Sequence, residues 1–226
     1  GRMAETDTTP LVVVERRLPP ALGPTGDGPA SERSDQERVA TRRKADFVAA
    51  NLELYPKYVT KWMRAPWYPS IREDPKFYSF LNHKTLPKEF TEAYTAYKQV
   101  KQAVKKRCDA QPDSPLRCLL KTAPVAPNSD VLLIDMCSGK GFLSVLLNFK
   151  FPNADILMVD NMTKMNLEHI ENLPRVEFWL SSITSGKFIP QLQERTKKYH
   201  AIVMIGIHLC GDLSEHFLAA FHALPN

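Results

Sequence analysis

The chain has 226 residues, 43% of them apolar, enough for one large domain or one medium domain with an appendage. A net charge of +5 and a pI near 9.0 modestly favour an anionic partner such as RNA, and equally suit an ordinary basic surface. Cys108, Cys118, Cys137 and Cys210 form no C-x-x-C pair, which argues against a zinc ribbon or disulfide framework, and no apolar run approaches the ~18 residues of a membrane span.

Gly1-Arg2 precede Met3, the expected native start. Residues 1–34 are rich in Pro, Gly, Ser and Thr and are expected to form a disordered tail. Its apolar patch, Leu11–Val14, is too short for a signal-peptide core and would be ordered only by pairing with another element. A helical, aromatic and basic region is expected over 35–109. It opens with a helix over about 36–54, capped by Ser34 or Asp35, with Val39, Phe47, Val48 and Leu52 near helical spacing. Residues 55–83 follow, dense in rings (Tyr58, Trp62, Trp67, Tyr68, Phe77, Phe80) and broken by prolines. Interleaved lysines and arginines make residues 38–107 a candidate RNA-binding surface, the alternative being that the rings supply burial. The spacing of Phe90, Ala93, Tyr94, Tyr97, Val100 and Val104 predicts a helix over about 87–108. Residues 110–129 read as a proline-rich linker, with a short helical turn over 116–120.

From Asp130 to Asn226, strands at about 131–136, 155–160, 176–181 and 201–207 alternate with helices at about 141–149, 164–173, 187–198 and 212–224. That alternation predicts an α/β fold with a parallel, doubly wound sheet, whose ligands lie beyond the C-terminal ends of the strands. The first strand runs into Asp135-Met-Cys137-Ser138-Gly139-Lys-Gly141, then an apolar helix. A phosphate loop would need Ser or Thr after the lysine, and a dinucleotide fingerprint would place Gly or Ala at Ser144. Position by position, Asp135, Cys137, Gly139 and Gly141 resemble the first motif of class I S-adenosylmethionine (SAM) methyltransferases, and the acid at 135 suits a cofactor with a free amino group better than a pyrophosphate. Asp160 ends the second strand, where an acid can hold a ribose diol, and Asn161 follows it toward the adenosine. Ser182 and Ile183 follow the third strand, at the adenine position. The fourth leads into His208-Leu-Cys210-Gly-Asp212-Leu-Ser214, with His208 the candidate base or orienting donor. His208 with Cys210 offers too few ligands for a metal.

The two loops together, Ser138-Gly-Lys-Gly-Phe-Leu-Ser144 and His208-Leu-Cys-Gly-Asp-Leu-Ser214, resemble the methyltransferase-like 25 family and, more distantly, a tRNA 2′-O-methyltransferase type. The resemblance covers about residues 130–224. It implies a Rossmann-like fold and SAM binding by Asp135, Gly139, Gly141 and Asp160, with Cys137 and Ser138 candidates from the same loop. The usual class I sheet has further strands, so the expectation is a sheet truncated after its fourth strand and ordered 3-2-1-4. Its fourth strand would be an edge, covered by residues 1–129, by a missing C-terminal segment or by a protein partner. The expected function is methyl transfer to RNA or protein in the cytoplasm or nucleus. A non-catalytic SAM- or RNA-binding module is the alternative, and a nicotinamide-dependent oxidoreductase is disfavoured by Ser144 and Asp135.

Overall fold

The computed structural model describes residues 11–14, 57–121 and 129–224; the helix expected over 36–54 and most of the expected tail lie outside them. The sheet contains β1 (Leu11–Val14), β2 (Val131–Met136), β3 (Asp155–Asp160), β4 (Val176–Leu180) and β5 (Ala201–Gly206). All neighbours run parallel, in the order β1-β5-β2-β3-β4. The four strands after residue 130 therefore take the expected 3-2-1-4 order in a Rossmann-like α/β sheet.

The difference lies at the edge. Leu11–Val14, expected in a disordered tail, form an edge strand with Leu11 opposite Val203 and Val14 opposite Gly206. Four consecutive apolar residues, three of them β-branched valines, are good strand formers. They pair with the open row of backbone groups on β5, which would otherwise face solvent.

β2 and β5 are buried along their whole length because both faces are covered. Side-chain alternation splits the core. Val131, Leu133, Met158, Val203 and Ile205 face one helical layer, while Leu132, Ile134, Met136 and Met204 face the other. The second layer comprises α6 (Phe188–Thr196) and α7 (Leu213–Ala223), which contribute Phe188, Leu192, Phe217 and Ala220.

The first layer is built from α1 (Lys57–Met63), α2 (Tyr68–Glu73), α3 (Tyr78–Leu81), α4 (Leu86–Ala110) and α5 (Phe142–Lys150). Helix α4 buries the stripe read from its spacing, from Phe90 to Val104. The rings of the aromatic segment turn inward: Trp62, Tyr68, Phe77 and Phe80 are buried. Trp62 stacks on Phe90 of α4 at 4.1 Å, and Trp67 stacks on Phe149 of α5 at 4.4 Å. Burial of rings thus joins the N-terminal helices to the sheet domain.

The short helical turn expected over 116–120 is present as a 3₁₀ turn, Pro115–Leu120. One connector differs. The helix expected over 164–173 is only a 3₁₀ turn, Glu168–Asn172. The Asn166 side chain accepts the Glu168 backbone N–H, a local bond that competes with helix formation.

Candidate functional site

The order β5-β2-β3 means that the chain leaves β2 in one direction to β3 and reaches β5 in the other. The C-terminal ends of β2 and β5 therefore flank the switch point where open α/β sheets bind ligands. Both ends carry left-handed backbone at a residue with a side chain. Cys137, directly after β2, has φ 56°, and His208, two residues after β5, has φ 61°. Such conformations are uncommon outside glycine and cluster at functional sites.

The 137–141 loop is tied at several points. Ser138 N–H donates to the Val159 carbonyl at 3.1 Å, and Gly141 N–H donates to the Ser138 carbonyl at 2.9 Å. Gly139 (φ 51°) and Gly141 (φ 75°) take conformations that side chains disfavour, for different reasons in space. A Cβ on Gly141 would meet Met158 Cε at 2.5 Å, whereas one on Gly139 would meet nothing within 4 Å. The loop is thus packed closely beneath Gly141 and open at Gly139.

Asp160 joins this loop to the next strand. Its Oδ2 accepts the Gly139 N–H at 2.9 Å and its Oδ1 accepts the Met162 N–H at 2.9 Å. A carboxylate offers about four lone-pair directions, so both oxygens keep acceptor capacity toward a ligand. Asn161 is exposed beside it. Ser182 shares a 2.9 Å hydrogen bond with Thr184, and Ile183 is buried in the second core layer.

Asp135 sits beneath the loop. It is only 2% exposed, and Ser144 of α5 donates its hydroxyl to Asp135 Oδ2 at 2.7 Å. Ser144, the residue that weakens a dinucleotide fingerprint, therefore partners a buried acid. Burial pushes the Asp135 carboxyl up to about 7, against the Ser144 hydrogen bonds, which favour the charged form. Burial, then the nearby Asp160 and Asp135, also push the Cys137 thiol up to about 11, so it remains a protonated thiol and not a nucleophile.

His169 was not singled out from the sequence, yet it supports the same loop. Its Nε2 lies 2.9 Å from the Lys140 carbonyl, and its ring packs between Phe77 and Phe80. Only Nε2–H can bond that carbonyl, so Nδ1 is the unprotonated nitrogen; it is buried and has no hydrogen-bond partner. Burial lowers the His169 pKa to about 4. The sequence signal was weak: one histidine in a short turn, with its partners far away in the chain.

His208 is half exposed, and its Nε2 lies 3.0 Å from Glu92 Oε2 on α4. Cys210 is exposed in the same loop. The structure thus gathers Cys137, Ser138, Gly139, Gly141, Asp160 and His208 around the ends of β2, β3 and β5, with Asp135 below them. Ser182 and Ile183 follow β4, on the far side of β3.

Among the described residues no helix is long and apolar enough to cross a membrane. Neither a curated protein nor a solved structure matches the chain. A family model described as a methyltransferase domain matches residues 91–226, more than half of the sequence and all of the strand-end loops above, and the chain belongs to that family.

Proposed function

We propose that this protein is a SAM-dependent methyltransferase with RNA as its acceptor class. The observation that carries the cofactor assignment is the Asp160–Gly139 bond, which locks the loops after β2 and β3 around a backbone position open to a ligand. The donor set fits SAM. Ser138 Oγ is buried without a partner, Asp160 retains acceptor capacity for a ribose diol, and the glycine loop permits close approach. Bound SAM supplies an electrophilic methyl group. The chain's own residues bind and orient: Asp160 and Asn161 take the nucleoside, the 137–141 loop takes the amino-acid end, and Asp135 holds that loop from beneath through Ser144. Ser182 and Ile183 lie toward the adenine, and His208 accepts a proton from the acceptor. The paired loop motifs at 138–144 and 208–214 support a methyltransferase-like 25 type.

The RNA assignment rests on charge. Lys61, Lys98 and Lys150 sit over the rings of Tyr94, Tyr58 and Tyr97 at 5.5, 5.6 and 5.9 Å. Burial, then the ammonium groups of Lys101 and Lys61, hold Lys150 below its ordinary range. Clustered ammonium groups beside aromatic rings suit a polyanion.

Titration calorimetry with SAM and with NAD(H) tests the cofactor: heat with a nicotinamide alone would overturn the reading. Asp160→Ala should weaken SAM binding by roughly 1–3 kcal/mol, since it strands the Gly139 and Met162 N–H groups and removes ligand acceptors. Unchanged affinity would reject the site. Methyl-labelled SAM incubated with total RNA and with lysate protein should label the RNA fraction; label in protein alone would reject RNA as the acceptor.

A further inference from the structure

Glu92 is unusual among the carboxylates around the strand ends because it comes from the N-terminal helical layer. It lies near the start of α4, and its side chain is 13% exposed. Its Oε2 meets His208 Nε2 at 3.0 Å, and its Oε1 meets Lys88 Nζ at 3.5 Å, one turn back on the same helix. His208 is held in left-handed backbone, which fixes where its side chain leaves the loop. A second bond tightens the loop beyond it, from Leu213 N–H to the Cys210 carbonyl at 3.3 Å. The family match begins at residue 91, so Glu92 belongs to the matched domain although it precedes β2 by almost forty residues.

We infer that Glu92 is a positioning residue for His208, selecting its tautomer and orientation. This rests on the methyltransferase reading. A carboxylate can only accept, so the 3.0 Å contact requires the proton on Nε2 and leaves the lone pair on Nδ1. Lys88 Nζ, 3.5 Å from Oε1, holds the other oxygen of the same carboxylate, so Oε2 is the one turned to the imidazole. Nδ1 of the half-exposed imidazole is then the atom that takes the proton released by the acceptor's O–H or N–H. The imidazolium so formed donates from Nε2 to the carboxylate, which offsets its charge. An acid, a histidine and a reacting group in this sequence follow the general logic of an oriented base. The two side chains come from positions 92 and 208, so α4 is part of the site and not only its support.

The full chain, labelled with ¹⁵N, allows a test that does not depend on knowing the acceptor. At pH 8, long-range ¹H–¹⁵N spectra should show His208 of the wild type as the Nε2–H tautomer alone. In Glu92→Gln, whose amide can donate to Nε2, the Nδ1–H form should appear. Label transfer at saturating SAM should fall at least tenfold in Glu92→Gln, with SAM affinity changed less than twofold and part of the rate restored in Glu92→Asp. In a His208→Gln background, Glu92→Gln should cause no further loss. An unchanged tautomer, or an equal loss in both backgrounds, would overturn the inference. A wild type that binds SAM but transfers no label would overturn the proton-accepting role together with catalysis, while the tautomer comparison would still decide whether Glu92 orients the ring. Absence of SAM binding would instead overturn the cofactor assignment.

Discussion

Replacing Asp135 by asparagine should make the folded chain gain roughly 3 kcal/mol between pH 4 and pH 6.5, a range over which the wild type should be nearly flat. Two buried groups with opposite signs produce the flatness. Burial raises the Asp135 carboxyl from 3.8 to about 7, so the folded state holds an extra proton between those values. Its contribution is fully present below pH 3.8 and is lost as pH rises through 7, a change of about 4 kcal/mol. Burial lowers His169 from 6.5 to about 4, so there the unfolded state holds the extra proton. Its contribution is present above pH 6.5 and is lost as pH falls through 4, about 3 kcal/mol. Asp135→Asn leaves the His169 dependence uncovered, and His169→Asn leaves the opposite slope. Urea unfolding curves at half-unit pH steps measure both. Parallel profiles for wild type and Asp135→Asn would show that the acid is ionised throughout. Both groups support the 137–141 loop, one through Ser144 and one through the Lys140 carbonyl.

Trp62→Ala should cost roughly 3–5 kcal/mol, the usual range for deleting a fully buried tryptophan. Trp62 is 0% exposed, lies parallel to Phe90 at 4.1 Å, and meets Trp67 edge-on at 5.3 Å. Trp67 in turn covers Phe149 of α5, the helix that follows the glycine loop. The indole N–H is buried without a partner, so Trp62→Phe removes an unsatisfied donor and keeps the stacked ring. It should therefore cost much less than alanine. Thermal and urea denaturation compare the two. Equal losses would mean that volume alone matters at this position, and a loss under about 1 kcal/mol for alanine would mean that the cavity collapses. Because α4 carries Glu92, loosening this ring stack should also weaken the His208 contact.

Much of the architecture was legible locally. β2 and β3 fall where continuous apolar runs placed them, because a strand buried on both faces needs no partner-specific code. The α4 stripe was readable because its period of 3.6 is written in adjacent turns. The glycine loop and Asp160 were visible as residue types at known offsets. The aromatic segment was ambiguous, since a ring that stacks on a base and a ring that fills a core look alike in sequence; packing turned Trp62, Phe77 and Phe80 inward.

The amino-acid sequence by itself determined the parallel α/β sheet and the loop at 137–141, and the family resemblance supplied the order of the four later strands. Only the tertiary structure decided that Leu11–Val14 close the β5 edge, that Ser144 answers Asp135, that His169 holds the Lys140 carbonyl, and that Glu92 meets His208. Local patterns report how a segment buries itself. The bond between residues 116 positions apart depends on where the topology brings two elements together, and nothing in either segment alone records it.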